Sequence, residues 1–257
     1  MKYRLVVADV DGTLIAPGVD SSQATSERLI RAVNEVQKLG VIFSLATARS
    51  LDKVEGLIKS LSLNSLIILD NGARIYDCLV QKYISNSFIP HNQVKEILNI
   101  LSEFPYEVNI INDSGRIQYN PSSKIPLTDI VKIVILDISP FQAQEVYERI
   151  SNMQNISVTK SVSGSDPVKE SIHITGMEAK KEKALKKIAD LSGINLQSAL
   201  VIGDSYNDFS IMAISGFKVA MGNSVSEIKA IADYIAPSYL EDGVAHVLEK
   251  FILDKNE

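Results

Sequence analysis

The stretch VVADVDGTLI, residues 6–15, decides how the rest of the chain is read. An apolar run with the makings of a buried strand ends in two carboxylates, Asp9 and Asp11, and Gly12 and Thr13 follow at once. Side chains alternate along a strand with period two, so Asp9 and Asp11 project to the same side if the extended geometry continues. Like charges that close disfavour joint ionisation, and a shared proton, a basic partner or a bound cation must compensate them.

Outward from this stretch, strand-like and helix-like patterns alternate. A strand over 4–8 precedes SSQATSERLIRAVNEVQKLG (21–40), where Leu29, Ile30, Val33, Val36 and Gln37 fall near helical spacing and Gly40 is a C-terminal stop. VIFSLA (41–46) reads as a second buried strand, LDKVEGLIKSLSL (51–63) as a helix and SLIILD (65–70) as a third strand. The pattern resumes with a helix over 179–192, Gly193 as its stop, the strand SALVI (198–202), GDSYND (203–208), a helix to 214, a short strand FKVA (217–220) and two closing helices. Strands and helices in alternation with short joints imply an α/β fold, a doubly wound parallel sheet covered on both faces.

The middle of the chain has another character. Helices are expected over 91–104 and 140–153, and strands near 107–111, 116–119, 130–137, 156–160 and 169–175, with NDSG (112–115) as a hairpin turn. This is an α+β unit, an open sheet with helices on one side, inserted into the first domain through the linkers SNSFIPHN (85–92) and TGMEA (175–179). The expected division is a core of 1–84 and 176–257 and an inserted domain of 85–175.

With 257 residues, 46% apolar and 22% charged, the chain can bury a substantial core, and disorder is not the expectation. A net charge of −5 argues against a general nucleic-acid binder. The lone Cys78 supplies neither an intrachain disulfide nor a zinc cluster. The apolar run before Asp9 is too short for a signal peptide or a membrane span, which reads as a cytoplasmic chain without a membrane partner.

In open parallel sheets, ligands sit beyond the carboxyl ends of the strands where the strand order reverses. Asp9 and Asp11 end the first strand, Thr47 and Arg49 the second, and Asp204, Asn207 and Asp208 follow the fourth. Four carboxylates converging on one crevice suit Mg²⁺, a hard cation with oxygen ligands that shares its shell with water and substrate phosphate. Gly12 lets backbone N–H groups approach a phosphate. Within AKKEKALKK (179–187), Lys181 differs from its neighbours, because it shares a helical stripe with the apolar Ala184, Leu185, Ile188 and Leu191. A lysine there opposes the helix dipole and makes sense beside an anion.

DVDGT (9–13), Thr47, Lys181 and GDSYND (203–208) resemble the four ordered motifs of the haloacid dehalogenase superfamily. The insert and AMGNS (220–224) resemble its branch of Cof-type sugar phosphatases, sucrose-phosphate phosphatase and archaeal phosphoglycolate phosphatases. The resemblance implies a Rossmann-like core with a cap domain, and a phosphatase that acts on a small phosphorylated metabolite through an aspartyl-phosphate. It makes Asp9 the nucleophile and Asp11 the general acid and base. Asp9, Asp11 (through its carbonyl), Asp204 and Asp208 would hold Mg²⁺, and Thr47, Lys181 and Asn207 the phosphoryl group. The family usually has TGR where this chain has TAR, so Ala48 would be strained if the backbone there needs positive φ.

A phosphomutase such as phosphomannomutase shares the DxDGT chemistry and stays open as an alternative, as does a phospho-metabolite sensor without turnover. A signalling receiver carries its phospho-accepting Asp on a later strand and is about half as long. His91, His173 and His246 have no metal-like spacing, although His173 lies near a linker. Arg116, Gln118 and Asn120 alternate with Ile117 and Tyr119 and so share one strand face, either solvated or used to read the substrate.

Overall fold

The computed structural model describes residues 2–19, 25–122, 126–163, 166 and 168–254. In chain order its elements are β1 (Leu5–Ala8), α1 (Glu27–Lys38), β2 (Ile42–Leu45), α2 (Glu55–Ser60), β3 (Leu66–Leu69), β4 (Arg74–Asp77) and β5 (Lys82–Asn86). Then come α3 (His91–Leu101), β6 (Val108–Asn112), β7 (Gly115–Gln118), β8 (Lys132–Ile138), α4 (Pro140–Ile150), β9 (Ile156–Val162) and β10 (Glu170–Gly176). The remainder is α5 (Lys181–Leu191), β11 (Ala199–Gly203), α6 (Phe209–Ala213), β12 (Phe217–Ala220), α7 (Ser226–Ile231), β13 (Tyr234–Ile235) and α8 (Gly243–Leu248). The start of the expected first helix, 21–24, lies outside the described residues. No helix among the described residues is long and apolar enough to cross a membrane.

Two compact units result, one of residues 1–84 with 181–257 and one of residues 85–180. The second junction lies five residues beyond the one expected from sequence. The chain past β10 is still tied to the second unit, Met177 N–H donating to Asn155 O at 3.0 Å and Ala179 N–H to Gly176 O at 2.9 Å.

The first unit is built on a parallel sheet in the order β13-β12-β11-β1-β2. A bridge between Ala46 and Ile68 adds β3 beside β2. Leu5, Val6, Val7 and Ala8 are fully buried, because helices cover both faces of this sheet and neither side of the strand meets water. Two apolar clusters divide those faces: Val6, Ala8, Phe43 and Leu45 pack with α1 and α8 on one, and Leu5, Val7 and Val201 with α5 and α6 on the other. Ser26 caps α1 by accepting from Leu29 N–H at 3.0 Å, and Gly40, at φ +78°, stops it.

Residues 70–86 depart from the sequence expectation. They add β4, antiparallel to β3, and β5 next to β4, so 85–92 opens inside a strand and is not wholly a linker. β4 begins with a buried Arg74, whose guanidinium stacks 4.4 Å from the Tyr83 ring, and β5 alternates exposed with half-buried residues. Neither carries the apolar run that marks a strand. The helix expected over 51–63 is a 3₁₀ turn (Leu51–Lys53) followed by the short α2.

The second unit is an antiparallel sheet in the order β7-β6-β8-β10-β9 with α3 and α4 on one face. Val108, Ile110, Ile133, Ile135, Ile172 and Ile174 point at the helices and form its core. A capping box joining Ser139 and Gln142, with Pro140 at the first helical position, starts α4. Alternation puts Asn109, Ile111, Arg116, Gln118, Lys132, Val134, His173 and Thr175 on the sheet's other face.

Candidate active site

Where β1 and β11 lie side by side in the first unit, the chain leaves in opposite directions, from β1 toward β2 and β3 and from β11 toward β12 and β13. The carboxyl ends of these two strands carry Asp9 and, one residue past Gly203, Asp204. The extended geometry does not run on through Asp11. Val10 O accepts from Thr13, Leu14 and Ile15 N–H at 3.3, 2.9 and 3.1 Å, so the chain turns sharply. The two carboxylates therefore part, and each finds its own cation.

Lys181 is the partner of Asp9. It opens α5 on that helix's buried stripe, is 3% exposed, and its Nζ donates to Asp9 Oδ1 at 2.7 Å and to Asp208 Oδ1 at 2.8 Å. Asp208 Oδ2 accepts from the backbone N–H groups of Asp204 (3.2 Å) and Ser205 (3.3 Å), and Thr13 Oγ1 donates to Asp204 Oδ1 at 3.4 Å. A Cβ on Gly12, whose φ is +77°, would lie 2.3 Å from Asp204 Oδ2, so only glycine fits.

Arg49 is the partner of Asp11. Its Nε and Nη2 donate to Asp11 Oδ2 and Oδ1 at 2.9 and 2.7 Å, and its Nη1 donates to Val19 O at 3.0 Å. The guanidinium is thus engaged within the site and positions Asp11. Ala48 is not among the residues at positive φ, so alanine in TAR is unstrained. Thr47 is buried past the end of β2, its Oγ1 accepting from Arg49 N–H at 3.0 Å. Asn207 is not drawn into the cluster; it is exposed, and its Oδ1 accepts from Ser205 Oγ at 2.7 Å.

Asn223 is the residue that the sequence reading passes over. Its Nδ2 donates to Gly12 O at 2.8 Å and its Oδ1 accepts from Tyr239 N–H at 3.2 Å, which pins the DVDGT turn to the AMGNS loop. The only sequence signal for it is its place within AMGNS.

Asp9, Asp204 and Asp208 offer carboxylate oxygens that all lie within 4.8 Å of one another. One lysine cannot neutralise three carboxylates, two of them buried and Asp204 partly so. Burial and the charges of Asp208 and Asp204 hold the Asp9 carboxyl well above the usual carboxylate range, against the pull of Lys181. Burial, with Asp208 next, pushes Asp204 up to about 7. Burial alone would lower Lys181, but Asp208 and Asp9 outweigh it and raise the ammonium above its ordinary value. An all-oxygen donor set with surplus negative charge fits a hard divalent cation.

The acidic cluster and the buried lysine lie at the switch point of a parallel α/β sheet, the place where such folds bind their ligands. The chain belongs to the haloacid dehalogenase-like hydrolases, whose family profile matches residues 6–161 and 113–248. It is 28% identical to the 5-amino-6-(5-phospho-D-ribitylamino)uracil phosphatase YcsE of Bacillus subtilis, over 97% of this chain and 96% of that one. It is 23% identical to a phosphoglycolate phosphatase of Methanosarcina acetivorans, again over 97% and 96%. A haloacid dehalogenase-like hydrolase from Bacteroides thetaiotaomicron shares the fold with a TM-score of 0.83 at 23% identity, over 97% of this chain and 100% of that one.

Proposed function

We propose that this hydrolase is a Mg²⁺-dependent phosphatase that cleaves a small organic phosphate monoester through an aspartyl-phosphate, with the inserted unit as its cap. The observation that carries the reading is the buried Lys181 bound to both Asp9, at the end of β1, and Asp208, past the end of β11. Asp9 attacks phosphorus in line; the bond to the leaving oxygen breaks, and Asp11, which enters this step protonated and so with one oxygen released from Arg49, gives that oxygen its proton so that an alcohol departs. Asp11 then takes a proton from water as the water attacks the acyl-phosphate, which releases inorganic phosphate and restores the Asp9 carboxylate.

Thr47 and Lys181 bind the phosphoryl oxygens, whose charge is what phosphoryl transfer chiefly needs stabilised. Asp9, Asp204, Asp208 and the Asp11 carbonyl hold Mg²⁺, which when bound supplies further charge stabilisation at the same oxygens. Arg49 and Asn223 keep the Asp11 turn in place.

The test is phosphate release from sugar phosphates, phosphoglycolate, nucleotides and p-nitrophenyl phosphate, with Mg²⁺ or with EDTA. Turnover that needs Mg²⁺ is expected. No release from any ester, or isomerised ester in place of free phosphate, would overturn the reading.

The carboxylate cluster predicts a pH signature. Asp204 keeps its proton in the metal-free fold up to about pH 7 but loses it near about pH 4 when unfolded. The folded state therefore binds more protons between these values, and stability in EDTA falls as pH rises through the interval. Mg²⁺ takes the place of that proton, so the rise in Tm that it produces should be larger at about pH 8 than at about pH 5. Equal rises at both pH values would show that Mg²⁺ does not bind at these carboxylates.

A further inference from the structure

The turn past β3 holds an unfavourable backbone. Asp70, Asn71 and Gly72 follow one another at φ +50°, +57° and +95°, in the left-handed region that L side chains avoid. Non-glycine residues persist there where their surroundings fix them, and such places cluster at ligand sites. Here the surroundings are those of the candidate active site. The bridge between Ala46 and Ile68 is parallel, so this turn leaves the sheet at the same carboxyl ends as Asp9 and Thr47. Asn71 N–H donates to Thr47 O at 3.0 Å and Asp70 N–H to Arg49 O at 3.0 Å. The helix that Lys181 opens, α5, packs on the same turn.

Asn71 adds a second cost. Its Oδ1 is enclosed and has no hydrogen-bond partner, although buried polar atoms are almost always paired. Among the described residues its side-chain amide makes no hydrogen bond, and the residue as a whole is half-buried, so the amide lies at the border between the interior and solvent. If the turn needed only its backbone shape, glycine would supply it without strain and without an orphaned oxygen. What the oxygen lacks is a donor. Lys181 directs its ammonium to Asp9 and Asp208, and Arg49 commits its guanidinium to Asp11, Val19 O and Lys53 O.

We propose that Asn71 is a specificity-determining residue of this site: its Oδ1 accepts a hydrogen bond from a hydroxyl on the alcohol side of the phosphate ester, next to the phosphoryl group held by Thr47 and Lys181. The inference deepens the phosphatase reading and rests on it. An ester without that hydroxyl leaves the enclosed oxygen unpaired and is selected against.

Phosphonates test this without turnover, because carbon in place of the ester oxygen leaves no bond for the enzyme to hydrolyse. The dihydroxybutylphosphonate isosteric with glycerol phosphate differs from butylphosphonate only in its hydroxyls, and calorimetric titration with Mg²⁺ present gives a Kd for each. The native protein is expected to bind the dihydroxy compound about tenfold more tightly, the scale of one neutral hydrogen bond. Asn71→Gly, which suits the positive φ and should melt at or above the native Tm, is expected to bring the two constants together. Asn71→Asp keeps acceptor oxygens and loses the donors, so it should preserve the preference while its charge weakens both phosphonates alike.

Equal binding of the two compounds by the native protein, or an undiminished preference in a folded Asn71→Gly protein, would overturn the role of Asn71 and leave the phosphate site standing. Loss of the preference in Asn71→Asp would do the same for Oδ1 as an acceptor. If neither phosphonate binds the native protein, the phosphatase reading itself fails and this inference falls with it.

Discussion

Asp9→Asn is expected to abolish Mg²⁺-dependent phosphate release, lowering kcat by at least about 10⁴-fold, the scale on which removal of an enzyme's covalent nucleophile is felt. The replacement amide is nearly isosteric and its oxygen can still accept from Lys181 Nζ, which sits 2.7 Å from Asp9 Oδ1 in the native site. It also removes one of three crowded carboxylates. The variant should therefore fold with a Tm at or above the native value in EDTA. A folded Asp9→Asn enzyme with undiminished turnover would remove Asp9 from the chemistry and leave it a purely structural counter-charge.

Lys181→Met is expected to reverse that balance between activity and stability. Methionine suits the apolar stripe formed by Ala184, Leu185 and Ile188, but the change strips the cation from two carboxylates that are nearly fully buried. Breaking a buried ion pair from one side costs about 3–5 kcal/mol, because the orphaned charge stays in a low dielectric. Urea unfolding in EDTA should show a loss of that order, and phosphate release should fall with it. Adding Asp208→Asn to Lys181→Met should recover part of the stability and none of the activity. Equal stability of Lys181→Met and the native protein would mean that the carboxylates shed their charge without the lysine.

Those two residues also show how far the sequence could be read. Lys181 stood out because a cation on an apolar helical stripe is an anomaly that needs no structure to see. Asp9 and Asp204 were legible as polar ends of buried strands in a parallel sheet, whose ligands sit beyond the strands' carboxyl ends; the strand order that makes β1 and β11 neighbours comes from the structure. The pairing of Asp11 with Arg49 was not legible. It depends on the turn at Val10, where three N–H groups converge on one carbonyl and carry Asp11 away from Asp9. Strand periodicity cannot foresee where the strand stops.

The hairpin of β4 and β5 escaped notice for a related reason. Its buried arginine and its edge strand lack the apolar signature, and its position is fixed by pairing with β3. Asn223 escaped because a side chain that braces a distant backbone carbonyl leaves no local pattern. In the second unit the alternation was plain, yet the row of Arg116, Lys132 and Thr175 emerges only once the strand register is known.

The bond from Lys181 to Asp9 spans 172 positions of the chain and that from Thr13 to Asp204 spans 191. On a ribosome, which releases the chain from its N-terminus, the first carboxylate emerges long before its cation exists. More than half of what is made between Asp9 and Lys181 is the inserted unit, whose apolar core among the described residues is built from its own residues between Ile89 and Ile174. That unit can thus complete itself while β1 and β2 still wait for β11. The cluster is closed by the last third of the polypeptide, so a nascent or truncated chain carries Asp9 without Lys181, Asp204 and Asp208.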